Sequence, residues 1–138
     1  MEKEKMRVVY VEPGQLARTM ELTHELGEMQ KAVGGDIEVY SPFDDACIVC
    51  NEEGKINGME FNRAIYDENG EMIEAIFGPF FICDGSGEDF GSLTDEQLKR
   101  YEQKFRFPER LMQRNGRLYA IPYKPRTAEL SGKEMEER

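Results

Sequence analysis

One stretch of this chain leaves little choice of local structure: Leu93-Thr94-Asp95-Glu96-Gln97-Leu98. Thr94 followed three residues later by Gln97 is a capping box, in which each side chain can serve the other's backbone N–H, and Leu93 with Leu98 supplies the hydrophobic staple beside it. Leu98, Tyr101 and Phe105 then recur at helical spacing until Pro108 stops the run. The pattern predicts a helix over 95–106.

Elsewhere the apolar residues come in short runs separated by turn formers. Residues 6–11 are β-rich and end at Pro13-Gly14, after which 16–22 can return as a second strand of a hairpin. Thr23 or His24 is placed to cap a short helix with Leu26, Met29 and Val33 on one face, closed by Gly34-Gly35. Residues 36–40 read as a strand with Ile37 and Val39 on one face, and 46–50 as a buried strand. Residues 61–66 and 72–77 flank Asp67-Glu68-Asn69-Gly70 in a hairpin-like pattern, although 61–66 also fits a single helical turn. Residues 80–83 form a further strand.

Past Pro108 two readings remain open. Asn115-Gly116 between 110–114 and 117–121 suits a type I′ hairpin, and the same glycine could end a short helix begun at Pro108. The expected fold is therefore α+β: a small, mostly antiparallel sheet with a short helix near 24–33 and a longer one near 95–106. One domain is expected over 1–125, a size that supports one core, with a polar and mobile tail over 126–138.

The net charge of −10 is unevenly spread. Residues 1–98 carry 22 acidic and 7 basic side chains, whereas 99–128 carry 9 basic and 2 acidic. A body this acidic attracts basic proteins and cations and repels nucleic acid and anionic membrane over most of its surface. Part of the basic segment has a local explanation, because Lys99, Arg100, Lys104 and Arg106 lie toward the C-terminal end of a helix that begins with Asp95 and Glu96. If 110–121 is a hairpin, Arg110, Met112, Arg114, Arg117, Tyr119 and Ile121 share one face. That face is either an anion or nucleic-acid patch or a surface docked on the acidic body, and docking is the preferred reading because the remaining surface repels a polyanion.

The other motifs point away from common chemistries. No run approaches the roughly 18 apolar residues that span a bilayer, and Met1-Glu2-Lys3-Glu4-Lys5 has no signal-peptide core, so a cytoplasmic protein with no membrane contact is expected. Cys47 and Cys50 have redox-pair spacing, but a strand sends them to opposite faces, and with Cys83 and one histidine a four-ligand zinc site lacks a member. Buried reduced thiols are expected. The acidic loop at 84–89 has neither the glycine nor the bidentate glutamate that an EF-hand needs. His24 has no evident nucleophile to serve. No metal, cofactor or catalytic residue is implied, and an enzyme is the least supported class.

Several strings together resemble a family described as domain of unknown function 3846: Val11-Glu-Pro-Gly14, Met29-Gln-Lys-Ala-Val-Gly-Gly-Asp-Ile37, Cys50-Asn-Glu-Glu-Gly-Lys55, Asn62-Arg63 and Ile76-Phe-Gly-Pro-Phe-Phe-Ile82. The resemblance spans about residues 6–107. It implies a setting in phages and conjugative elements of Gram-positive bacteria and carries no catalytic residues with it. Within this region Asn51, Glu52, Glu53, Lys55, Asn62 and Arg63 are the polar candidates, because they sit at predicted element ends where binding groups are often placed. Two functions are expected from these observations. The first is a non-enzymatic binding protein of a mobile element whose acidic surface engages a basic, nucleic-acid-handling host protein. The second is a module for a small anion or nucleotide, using Lys55 and Arg63 or the Arg110, Arg114 and Arg117 cluster.

Overall fold

The computed structural model describes residues 4–125. The expected tail at 126–138 lies outside the described residues. Five strands form one sheet in the order β2-β1-β7-β4-β3, with every neighbour antiparallel: β1 (Lys5–Val11), β2 (Arg18–Thr23), β3 (Ile37–Tyr40), β4 (Cys47–Asn51) and β7 (Phe80–Cys83). The α+β architecture is completed by a two-stranded sheet of β5 (Phe61–Tyr66) and β6 (Met72–Phe77), a separate β8 (Glu109–Arg114) and β9 (Arg117–Pro122) hairpin, and two helices.

The central strands are buried on both faces, which explains why Cys47-Ile-Val-Cys50 and Phe80-Phe-Ile-Cys83 read as continuous apolar runs without alternation. Pleating sends Val8, Tyr10, Cys47, Val49 and Phe81 to one side, where Met29 and Val33 of α1 (Leu26–Val33) cover them. Val9, Val11, Ile48, Phe80 and Ile82 go to the other. There they meet Leu98, Tyr101 and Phe105 from the α2 segment, together with Ile65 of β5 and Ile76 of β6. Each valine, leucine, isoleucine, phenylalanine and methionine among them gains about 1.5–3 kcal/mol from leaving water.

Helix α2 (Asp95–Lys104) starts as its capping box demands: Gln97 N–H donates to Thr94 Oγ1 at 3.1 Å, and Thr94 N–H donates to Gln97 Oε1 at 2.9 Å. Helix α1 corrects the expected cap. Thr23 is still paired with Lys5 and His24 N–H donates to the Glu4 carbonyl at 2.7 Å, so the ladder holds both in the hairpin, and Glu25 is the N-cap. The eight-residue helix is instead fixed at its other end, by Gly34 in the left-handed region (φ 82°) and by Asn51. Ile37 and Val39 share a face of β3 as expected, and Val39 stands exposed because β3 is the outermost strand. Both open choices fall to strands: 61–66 is β5, and Asn115 (φ 52°) and Gly116 (φ 79°) make the two-residue turn between β8 and β9.

Candidate functional site

The Asn51-Glu-Glu-Gly-Lys55 string leaves β4 and turns toward β5. Asn51 shapes this turn from inside: its Nδ2 donates to the Val33 carbonyl at 3.1 Å, and its Oδ1 accepts from Glu53 N–H at 2.7 Å. The last turn of α1 and the start of the β4–β5 loop are thereby tied together. The close approach explains the Gly34-Gly35 pair, because a Cβ on Gly35 would lie 2.9 Å from Asn51 Nδ2. Gly54 is equally constrained, since a Cβ there would fall on the Phe77 carbonyl oxygen of β6.

This packing opens a groove of about 260 Å³ between the β3–β4 edge of the large sheet, the loop, and β6. Glu38, Glu52, Glu53 and Glu74 line it, and among the described residues Lys55 is the one cationic side chain in its wall. Lys55 Nζ lies 3.2 Å from Glu74 Oε2 and 5.9 Å from the centre of the Phe77 ring. Two weak acids deeper in the groove register the excess of carboxylates. Burial, then Glu38 and Glu74, push the Cys50 thiol up to about 11, so it is protonated and unreactive at neutral pH. Burial and Glu74 likewise raise the Tyr40 phenol.

Asn62 and Arg63 are not in this groove. Both are fully buried on β5. Asn62 Nδ2 donates to the Val11 carbonyl at 3.0 Å and to the Gly78 carbonyl at 2.9 Å, and its Oδ1 accepts from Arg63 Nη1 at 2.8 Å. Arg63 Nε and Nη2 donate to the Phe105 carbonyl, Nη2 also to the Gln15 carbonyl at 2.7 Å, and Nη1 also to the Asn62 carbonyl. The five N–H groups of the guanidinium are thus matched by neutral oxygens. Burial lowers Arg63 to about 10, against the opposing fields of Glu109 and Tyr123, so it remains charged at neutral pH. The Lys55–Arg63 anion site is therefore corrected: Lys55 is bound to a glutamate and Arg63 is an internal pin joining β5 to the end of α2 and the β1–β2 turn.

Sequence reasoning missed Glu38, Tyr40, Cys50 and Glu74. Glu74 interrupts the apolar run of β6, but Glu38 belongs to the other sheet and reaches the same groove only through the packing of the two sheets.

The hairpin carries the other candidates. Arg110 pairs with Ile121, Met112 with Tyr119, and Arg114 with Arg117, which places all six side chains on one face. All are exposed. Arg110 lies 4.6 Å from the centre of the Tyr123 ring, and Arg117 reaches Glu71 only at 3.8 Å, with both side chains about two-thirds exposed. Among the described residues no carboxylate lies within salt-bridge distance of Arg110 or Arg114. The expected docking onto the acidic body is not what holds this hairpin. The hairpin packs on β5, and at its base Glu109 Oε1 accepts the Ala64 N–H at 2.9 Å.

The remaining motifs keep their modest roles. Cys47 and Cys50 do point to opposite faces, Cys47 lying 3.8 Å from Cys83 instead. Asp84 Oδ1 accepts Ser86 N–H in a turn. Among the described residues no three His, Cys, Asp or Glu side chains are grouped to hold a metal, and no helix is long and apolar enough to cross a membrane.

Fold and site together define a small α+β protein with a carboxylate-lined groove at the Asn51-Glu-Glu-Gly-Lys55 string. The chain belongs to the family described as Domain of unknown function (DUF3846), which matches residues 6–106. The groove lies inside that match and the β8–β9 hairpin lies beyond it. No match to the chain is found among curated proteins or solved structures.

Proposed function

We propose that this protein is a non-enzymatic binding protein that engages a basic host protein, one that handles nucleic acid, through the groove at Glu38, Glu52, Glu53 and Glu74. The observation that carries the reading is the imbalance of four carboxylates against Lys55 in one concave surface. The groove's volume is that of a side-chain pocket, smaller than the sites that enclose most small ligands. A lysine or arginine side chain of a partner would compete with Lys55 for Glu74 and find Glu38 beside it. The surrounding negative potential of the 1–98 body would speed encounter with a cationic surface and make association sensitive to salt. The setting we infer, a phage or conjugative element acting in the host cytoplasm, rests on the family resemblance.

Titration calorimetry with an arginine- and lysine-rich peptide tests this. Association is expected at low ionic strength, at least tenfold weaker in Glu38→Gln/Glu74→Gln, and progressively lost as salt rises. Absence of binding at low ionic strength, or equal binding by the double variant, would remove the groove from consideration.

A further inference from the structure

The β8–β9 hairpin presents a second surface of opposite chemistry. Its exposed face alternates guanidinium groups with flat or flexible apolar ones: Arg114 and Arg117 side by side at the turn, Met112 and Tyr119 as the next facing pair, then Arg110 with Ile121. Arg110 and Arg114 are four residues apart on one strand, or about 13 Å. Met112, Tyr119 and Ile121 are each nearly half exposed, although a protein of this size ordinarily has interior available for such residues.

We propose that this face binds single-stranded nucleic acid, with Arg110, Arg114 and Arg117 on backbone phosphates and Tyr119 as the platform on which a base stacks. The alternation matches the ligand: a single strand offers anionic groups along one edge and unpaired aromatic faces along the other, and modules that bind it combine cationic side chains with exposed aromatics on strands. The guanidinium of Arg110 lies over the Tyr123 ring, a contact that limits its motion while Arg110 itself stays exposed.

The acidic body decides between single and double strands. A duplex is stiff and carries one charge per about 1.7 Å, so a duplex laid on the hairpin would also bring phosphates toward a body of 22 acidic and 7 basic side chains. A flexible strand can be confined to the ribbon. The same repulsion limits the footprint to a few nucleotides, and affinity to what three phosphate contacts and one stacked base supply.

Fluorescence anisotropy of a labelled oligothymidylate of about twelve nucleotides, with the full chain, tests the assignment. Binding at low salt is expected to weaken with a slope of log K against log salt of about −2, from three contacts at about 0.7 each on single strands. Arg114→Ala is expected to lower that slope by about 0.7, and Tyr119→Ala to weaken binding by roughly fivefold to a hundredfold without changing it. Far-ultraviolet dichroism melts establish that the variants fold, as their exposure leads one to expect. Three results would each overturn the proposal: no binding at low salt; unchanged binding by Arg110→Ala/Arg114→Ala/Arg117→Ala; or tighter binding of duplex, polyglutamate or anionic vesicles than of the oligonucleotide. Because none of these six residues lines the acidic groove, failure here leaves the groove's basic partner untouched.

Discussion

The acidic body and the β8–β9 hairpin both carry arginine beside apolar residues on strands, yet they use it in opposite ways. On β5, Arg63 is fully buried and all five of its N–H groups meet carbonyl or amide oxygens drawn from three parts of the chain. On the hairpin, Arg114 stands in solvent and the nearest organised partner of its neighbour Arg117 is Glu71, at 3.8 Å. Residue type does not separate structure from binding here; sheet position does. A strand covered on both faces turns a polar side chain into a pin, and a two-stranded ribbon with one face in solvent leaves the same side chain free for a ligand.

The sharpest way to break this comparison is to mutate each arginine in turn and read stability by urea denaturation. Arg63→Met is expected to cost on the order of 3–5 kcal/mol, because the carbonyls of Gln15 and Phe105 and the Asn62 amide oxygen lose their donors inside the protein. Arg63→Lys, with three donors in place of five, should recover part of that loss. Arg114→Glu should fall within about 0.5 kcal/mol of the parent. Comparable losses at the two positions would contradict the assignment of one to the interior and the other to a free surface.

Next in size is the glycine that shapes the groove. Gly54→Ala forces a Cβ against the Phe77 backbone, and a cost of about 1–3 kcal/mol is expected with weakened capture of a basic peptide. A stable Gly54→Ala protein with full peptide affinity would show that the loop adjusts easily and that its geometry is not what forms the groove. Thr94→Ala removes one half of the capping box and should cost about 1 kcal/mol in the same assay.

The smallest effect lies in acid. Hydrogen bonds from Tyr101, Arg100 and Gln97 hold the Asp45 carboxyl at about 2, below its ordinary 3.8. The folded value is the lower one, so Asp45 favours the folded state above about pH 4 and loses that contribution as pH falls toward 2. Asp45→Asn should flatten that part of the stability profile. The contribution is discounted by solvent, since the Asp45 side chain is 42% exposed, and a profile unchanged by the substitution would show that α2 is held by its apolar face alone.

Local signals carried much of this fold and little of its site. The Thr94 box and the Pro13-Gly14 hairpin act within a few residues, so their outcome is readable from neighbours, whereas Asn115-Gly116 leaves a hairpin and a short helix both open until the β8–β9 pairing decides it. The groove is different. Glu38 and Glu74 line one groove because β3 pairs with β4 while β6 packs into the core on one face of that sheet, an arrangement set by packing across the whole chain. Asn62 and Arg63 read as binding candidates at an element end for the same reason: nothing near them in sequence announces the carbonyls of Val11, Gln15, Gly78 and Phe105 that enclose them.

Capture of a partner's cationic side chain by the groove is tested most directly by the affinity of an arginine- and lysine-rich peptide for charge variants. Glu38→Gln/Glu74→Gln is expected to weaken binding tenfold or more, while Arg110→Ala/Arg114→Ala/Arg117→Ala binds at least as well as the parent. Equal loss in both variants would reduce the interaction to diffuse net charge, and no loss in the groove variant would place the basic partner elsewhere.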